Sequence, residues 1–220
     1  NVYNMKAMLY FAKSFNQPLN AWNVSKVYTI TCISGGAKSF NQPLDKWDTS
    51  GIQEMAYAFF ECYEFNQNID SWDTSEVTYM DGMFDGAKNF NQPLNSWKTG
   101  NVKFMRRMFQ GASSFNQPLD KWDVSRVETA EMMFKNATSF NQPLDMWQIS
   151  RDCDVNDMFL NAPCFSDVKI LTLNFAHTNK MRYREYLKEA LGRFDAAQVY
   201  AELSSYSDKH TAKYKRELEA

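Results

Sequence analysis

Histidine is nearly missing from this chain: the two copies, His177 and His210, both fall late. Neither is flanked by the Ser, Cys or Asp that nucleophilic chemistry requires, and no glycine-rich phosphate loop or HExxH helix motif occurs. The four cysteines, Cys32, Cys62, Cys153 and Cys164, form no CxxC pair, so a zinc cluster is unsupported. No run of 18 apolar residues occurs, which excludes a membrane-spanning helix. With 24 basic residues against 26 acidic ones and a net charge of −2, there is no basic tract to neutralise phosphates, so nucleic acid is not an expected partner. No signal peptide is present, and the chain opens in mid-unit without Met, as expected of a fragment of a longer array or a processed form. These absences leave a non-enzymatic protein with no catalytic residue, no metal site and no cofactor.

What the chain has instead is a repeat. Phe15, Phe40, Phe65, Phe90, Phe115 and Phe140 recur with Trp22, Trp47, Trp72, Trp97, Trp122 and Trp147 at a period of 25 residues. Every Trp is in register. Pro18, Pro43, Pro93, Pro118 and Pro143 keep the same phase, with Asn68 in the one gap. Such a period belongs to units that cannot bury an apolar face alone and must stack on neighbours.

Within a unit, Val77, Met80, Met83 and Phe84, like Val127, Met133 and Phe134, fall at helical spacing, which predicts a helix of about ten residues, roughly 15 Å long. Ser25, Ser50, Ser75, Ser125 and Ser150 precede these runs as N-caps. Gly36, Gly86, Gly111, Asn136 and Asn161 follow them as left-handed C-caps. The other half predicts a tight turn at Asn-Gln-Pro-Leu and a short strand around Trp-Asp-Val/Thr, pairing in parallel with its copies about 4.8 Å away. The expected fold is an α/β solenoid, with units starting near 15, 40, 65, 90, 115 and 140 and a partial unit at 1–14. Beyond residue 165 the pattern stops. Met181, Leu187, Ala190, Leu191 and Phe194 mark an amphipathic helix, so 166–220 reads as a C-terminal helical cap that keeps the protein monomeric.

Four rows of side chains offer sites. The positions flanking Trp change chemistry from unit to unit on a constant frame, which points to Lys46, Asp48, Asp73, Lys98, Lys121 and Asp123 as a strand-side contact set for a protein partner. Tyr57, Phe60, Tyr79 and Phe104 form the competing helix-side set, because exposed aromatics dominate interfaces. The stacked Asn16, Asn41, Asn66, Asn91, Asn116 and Asn141 read as amides that satisfy buried backbone groups, ahead of a glycan-reading row. Asp45, Asp70, Asp120 and Asp145 read as turn formers, ahead of a calcium row. A purely structural spacer is the remaining alternative.

The unit FNQPLxxWDxSxVxxMxxMFxGAxS, over residues 1–165, resembles the 25/26-residue repeat of bacterial surface proteins, found in mycoplasma and Gram-positive lipoproteins and related to BspA-like leucine-rich repeats. The resemblance implies leucine-rich-repeat-like coils at a cell surface, adhesion or protein binding, and no enzymatic activity. Ile30, Ile33 and Ser34 depart from the pattern in the first unit. Four cysteines at unrelated repeat positions leave an intracellular location open as well.

Overall fold

The computed structural model describes residues 2–144, 146–150 and 152–162. The chain divides into two units, Asn1–Phe165 and Ser166–Ala220; every described residue belongs to the first, so the expected helical cap lies outside them. Among the described residues there is no helix and no extended strand. The β-type pairing consists of isolated parallel bridges that link Asn4, Thr29, Glu54, Tyr79, Phe104, Thr129 and Asp154 in turn. The α/β architecture with one helix and one strand per unit is therefore wrong, and the backbone shows why.

In the run expected to be helical, alternate amides leave their own coil. The N–H groups of Met80, Gly82, Phe84 and Gly86 donate to the carbonyls of Phe104, Arg106, Met108 and Gln110 in the next coil, at 2.7–2.9 Å. The amides between them, on Met83, Asp85 and Ala87, close turns onto Met80, Gly82 and Phe84. An α-helix needs all of these donors for carbonyls four residues back, so none can form. Two residues per coil also take positive φ, as at Gly82 (56°) and Gly86 (72°), Tyr57 (55°) and Glu61 (49°), or Met132 (57°) and Asn136 (59°). A left-handed residue every four positions breaks a right-handed helix. The expected C-caps Gly36, Gly86, Gly111, Asn136 and Asn161 do have positive φ, but each ends a turn and not a helix.

The apolar spacing was misleading for a physical reason. Consecutive three-residue turns bring side chains inward every three or four positions, as a helix does, and Met80, Met83, Phe84 and Ala87 are all fully buried. The strand was misplaced too: the bridges lie just ahead of the turn run, while the amide of Trp72 closes a turn onto Ile69 at 3.1 Å. The serines are not N-caps. Ser50, Ser75 and Ser125 each donate a backbone N–H to the side-chain oxygen of the Asp two residues earlier, at 3.0–3.2 Å.

The core is a set of aromatic columns. Phe40, Phe65, Phe90, Phe115 and Phe140 stack at 5.9–6.0 Å, and Phe59, Phe84, Phe109, Phe134 and Phe159 at 5.3–5.6 Å. Trp47, Trp72, Trp97, Trp122 and Trp147 form a third column with rings within 7° of parallel. Each full burial of such a side chain contributes about 1.5–3 kcal/mol. Each Trp in this column also donates Nε1–H to a carbonyl of the coil before, as Trp97 does to Ile69 at 3.0 Å.

The asparagine row is a backbone ladder, as its spacing predicts. Asn66 Oδ1 accepts the N–H of Asn91 at 2.9 Å and the side-chain amide of Gln92 at 3.0 Å, and the same pair of bonds recurs from Asn16 to Asn141. Thr49, Thr74 and Thr99 donate to carbonyls one coil on. Among the described residues, Cys32, Cys62 and Cys153 are free thiols. Burial pushes Cys62 up to about 12 and Cys153 up to about 11, which makes both poor nucleophiles.

Candidate functional site

Because each repeat position lies one coil from its copies, any site here is built from rows. Lys46, Asp48, Lys98, Lys121 and Asp123 are exposed beside the Trp column, and Asp73 is half-buried. The three carboxylates are already in use. Asp48 Oδ1 accepts both the N–H and the Oγ–H of Ser50, and hydrogen bonds from Ser75 and Ser125 hold Asp73 and Asp123 below the usual carboxylate range. Lys98 Nζ stands 3.7 Å from Asp73 Oδ1 with both groups open to water, a geometry that contributes little. These two line an open polar groove of about 880 Å³ around Trp72, together with Asp45, Asp70 and Ser96. Lys46, Asp48, Lys121 and Asp123 do not line it.

The other acidic row is tied to the adjoining coils and not into its own turns. Asp45 accepts from Asn20 at 2.8 Å, Asp120 from Asn95 at 2.9 Å, and Asp70 takes both the N–H and the hydroxyl of Ser96. Asn20 and Asn95 interrupt the row and so dilute the charge repulsion along it. Among the described residues, no group of three or more His, Cys, Asp or Glu is placed to hold a metal. No described helix is long and apolar enough to cross a membrane.

In the second set Tyr57 and Phe60 lie on the turn run and Tyr79 and Phe104 just ahead of it, so the helix-side label no longer applies. Tyr79 is 42 % exposed and its ring stacks on that of Phe104, with centroids 4.8 Å apart. Both occupy bridge positions, which fixes their backbones one coil apart. Tyr57 has a different task. A Cβ built on Gly82 would run into its ring, so Tyr57 covers that glycine while meeting Phe60 edge-on at 6.1 Å. Burial, with Asp81 and Asp85 nearby, pushes the Tyr57 phenol up. Lys103–Glu128 and Arg106–Glu131 ion pairs border the aromatic pair.

Sequence reasoning missed Asp85, Arg107 and Gln110 on this same face. Asp85 is buried, and burial pushes its carboxyl up to about 6 against the pull of Arg107, with Glu61 raising it further. Arg107 Nε and Gln110 Oε1 are buried without a hydrogen-bond partner. The repeat carries no signal for them, because both positions vary: Gly35, Phe60, Gln110 and Lys135 stand where Asp85 does, and Cys32, Tyr57, Gly82, Met132 and Asp157 where Arg107 does.

A family model described as "Mycoplasma protein of unknown function, DUF285" matches residues 1–74 and 53–173. No curated protein and no solved structure matches the chain.

Proposed function

The chain belongs to that family, a repeat family of unknown function, and from this premise we propose that it is a non-enzymatic scaffold that binds a protein partner through the turn face around Tyr79 and Phe104. One observation carries the reading. Away from the first coil, the exposed large apolar side chains among the described residues are Met146 and Tyr79, and Tyr79, 42 % exposed, lies on a parallel stack with Phe104. Every aromatic in the core columns is explained by packing, and Tyr57 by Gly82; this pair has no such account within the fold. Rigid stacked rings lose little side-chain entropy on contact, which is why aromatics anchor interfaces.

The Trp side supports a second reading because its groove gathers Asp73 and Lys98. There the charges are solvated and partly committed to turns, so they suit steering and specificity more than affinity. For a captured protein partner, Tyr79→Ala should weaken binding by about tenfold or more, while Lys98→Glu with Lys121→Glu leaves it within a factor of about three. Calorimetry with the reverse ranking moves the site to the Trp side.

A further inference from the structure

The groove around Trp72 lies where the repeat loses bulk. In four successive coils the residue before Trp is Lys46, Ser71, Ser96 and Lys121, so two small side chains stand together between two long ones. Three residues earlier, Asn68 takes the place that Pro43 and Pro93 hold in the adjoining coils. Both departures fall on the lining of the open space of about 880 Å³, which crosses three coils from Pro43 and Asp45, past Asn68 and Ser71, to Ser96 and Lys98.

Several polar side chains of this groove are anchored by one atom and present another. Gln67 donates its side-chain amide to Asn41 Oδ1 at 2.8 Å, so Oε1 is the acceptor it offers. Asn68 Oδ1 accepts the N–H of Asp70 at 2.9 Å, so the side-chain amide is a donor. Asp45 takes the Asn20 amide on Oδ1 and keeps Oδ2. Among the described residues, none of these second atoms has a protein partner. Lys98, with its side chain 71 % exposed and Nζ 3.7 Å from Asp73 Oδ1, adds further donors.

We infer that this groove binds a neutral saccharide. Donors and acceptors set side by side, and held in place before any ligand arrives, match hydroxyl groups, each of which donates one hydrogen bond and accepts others. Asp45, Asp70 and Asp73 outnumber Lys98, so uronic acids, sialic acids and phosphates are repelled. A basic side chain would find the carboxylates but would leave the Asn68 amide and Lys98 without acceptors. Apolar surface is confined to Pro43 and the edge of Trp72, whose faces are covered by Trp47 and Trp97. That is too little for an apolar molecule and enough for the C–H face of a sugar ring. Among the described residues no three acidic side chains are placed to hold a metal, so the contact is direct and not bridged by calcium. The groove shares no residue with the Tyr79 and Phe104 face and is independent of the contact proposed there.

A glycan array printed with neutral, sialylated and uronic-acid oligosaccharides, probed with the full chain, tests this. Neutral oligosaccharides should be retained and acidic ones not, with the same spots bound in the presence of a chelator. The repeat supplies two substitutions that its own coils already carry. Ser71→Lys with Ser96→Lys fills the groove with the residue of Lys46 and Lys121, and Asn68→Pro replaces the amide donor with the residue of Pro43 and Pro93. In calorimetry with a retained oligosaccharide, each should weaken binding about tenfold or more with an unchanged urea midpoint; should one lower the midpoint, the other carries the test. An array with no retained spot, preference for acidic glycans, retention lost in chelator, displacement by tetralysine, or affinity indifferent to both variants overturns the inference.

Discussion

Position along the stack decides what a given residue contributes, and Trp97 and Trp22 show how far identical side chains can differ. Trp97 is 2 % exposed, stacked between Trp72 and Trp122 at 6.5 and 6.3 Å, and bonded to the Ile69 carbonyl. Trp97→Ala should cost about 3–5 kcal/mol, from the cavity together with an orphaned acceptor. Trp22 is 38 % exposed, and its truncation should cost less than about 1.5 kcal/mol. Urea midpoints that fell equally for both variants would contradict the stacked column. Asp85 works in the opposite direction. Its folded pKa of about 6 lies above the ordinary carboxylate range, so the folded state binds more protons in the interval between and stability falls as pH rises through that window. Asp85→Asn should therefore stabilise the protein at pH 7 by about 1–2 kcal/mol, after allowance for solvent screening, and leave it unchanged near pH 3.5. A variant less stable than the parent at pH 7 would show that the carboxylate is satisfied after all.

The turn run is the element that sequence periodicity misassigned, and it carries a test of its own. Among the described residues, ten non-glycine residues have positive φ, at a cost of about 1–2 kcal/mol each. The inter-coil hydrogen bonds, at about 0.5–1.5 kcal/mol net each, and the buried apolar side chains offset that cost. Positive φ alone does not demand glycine at Gly82, since Cys32, Arg107 and Met132 occupy the same place in other coils. The Tyr57 ring does demand it. Gly82→Ala should cost about 1–3 kcal/mol in the parent and about 1 kcal/mol less in a Tyr57→Ala background, a coupling that a double-mutant cycle reads directly. Equal costs in both backgrounds would place the glycine requirement in the backbone.

At the scale of the molecule, the period of 25, the buried Phe and Trp columns and the asparagine ladder were legible in the sequence, because each depends on which residues recur and not on how the chain between them coils. The backbone path was not. Met80, Met83 and Phe84 fit a helix and a chain of turns equally well, and nothing in their spacing says whether Gly82 N–H reaches back to Thr78 or across to the next coil. The candidate contact sets were located as rows, but the roles within them emerged from contacts: the hydrogen bonds of Ser50 to Asp48 and the Tyr57 ring covering Gly82. Asp85 escaped because one unusual residue in one coil carries no period. The central claim, that the turn run is bonded between coils, is tested most directly by scalar couplings across hydrogen bonds in a labelled sample. The account predicts couplings from the amides of Gly82, Phe84 and Gly86 to the carbonyls of Arg106, Met108 and Gln110. Couplings from those amides to Thr78, Met80 and Gly82 instead would restore the helix and contradict it.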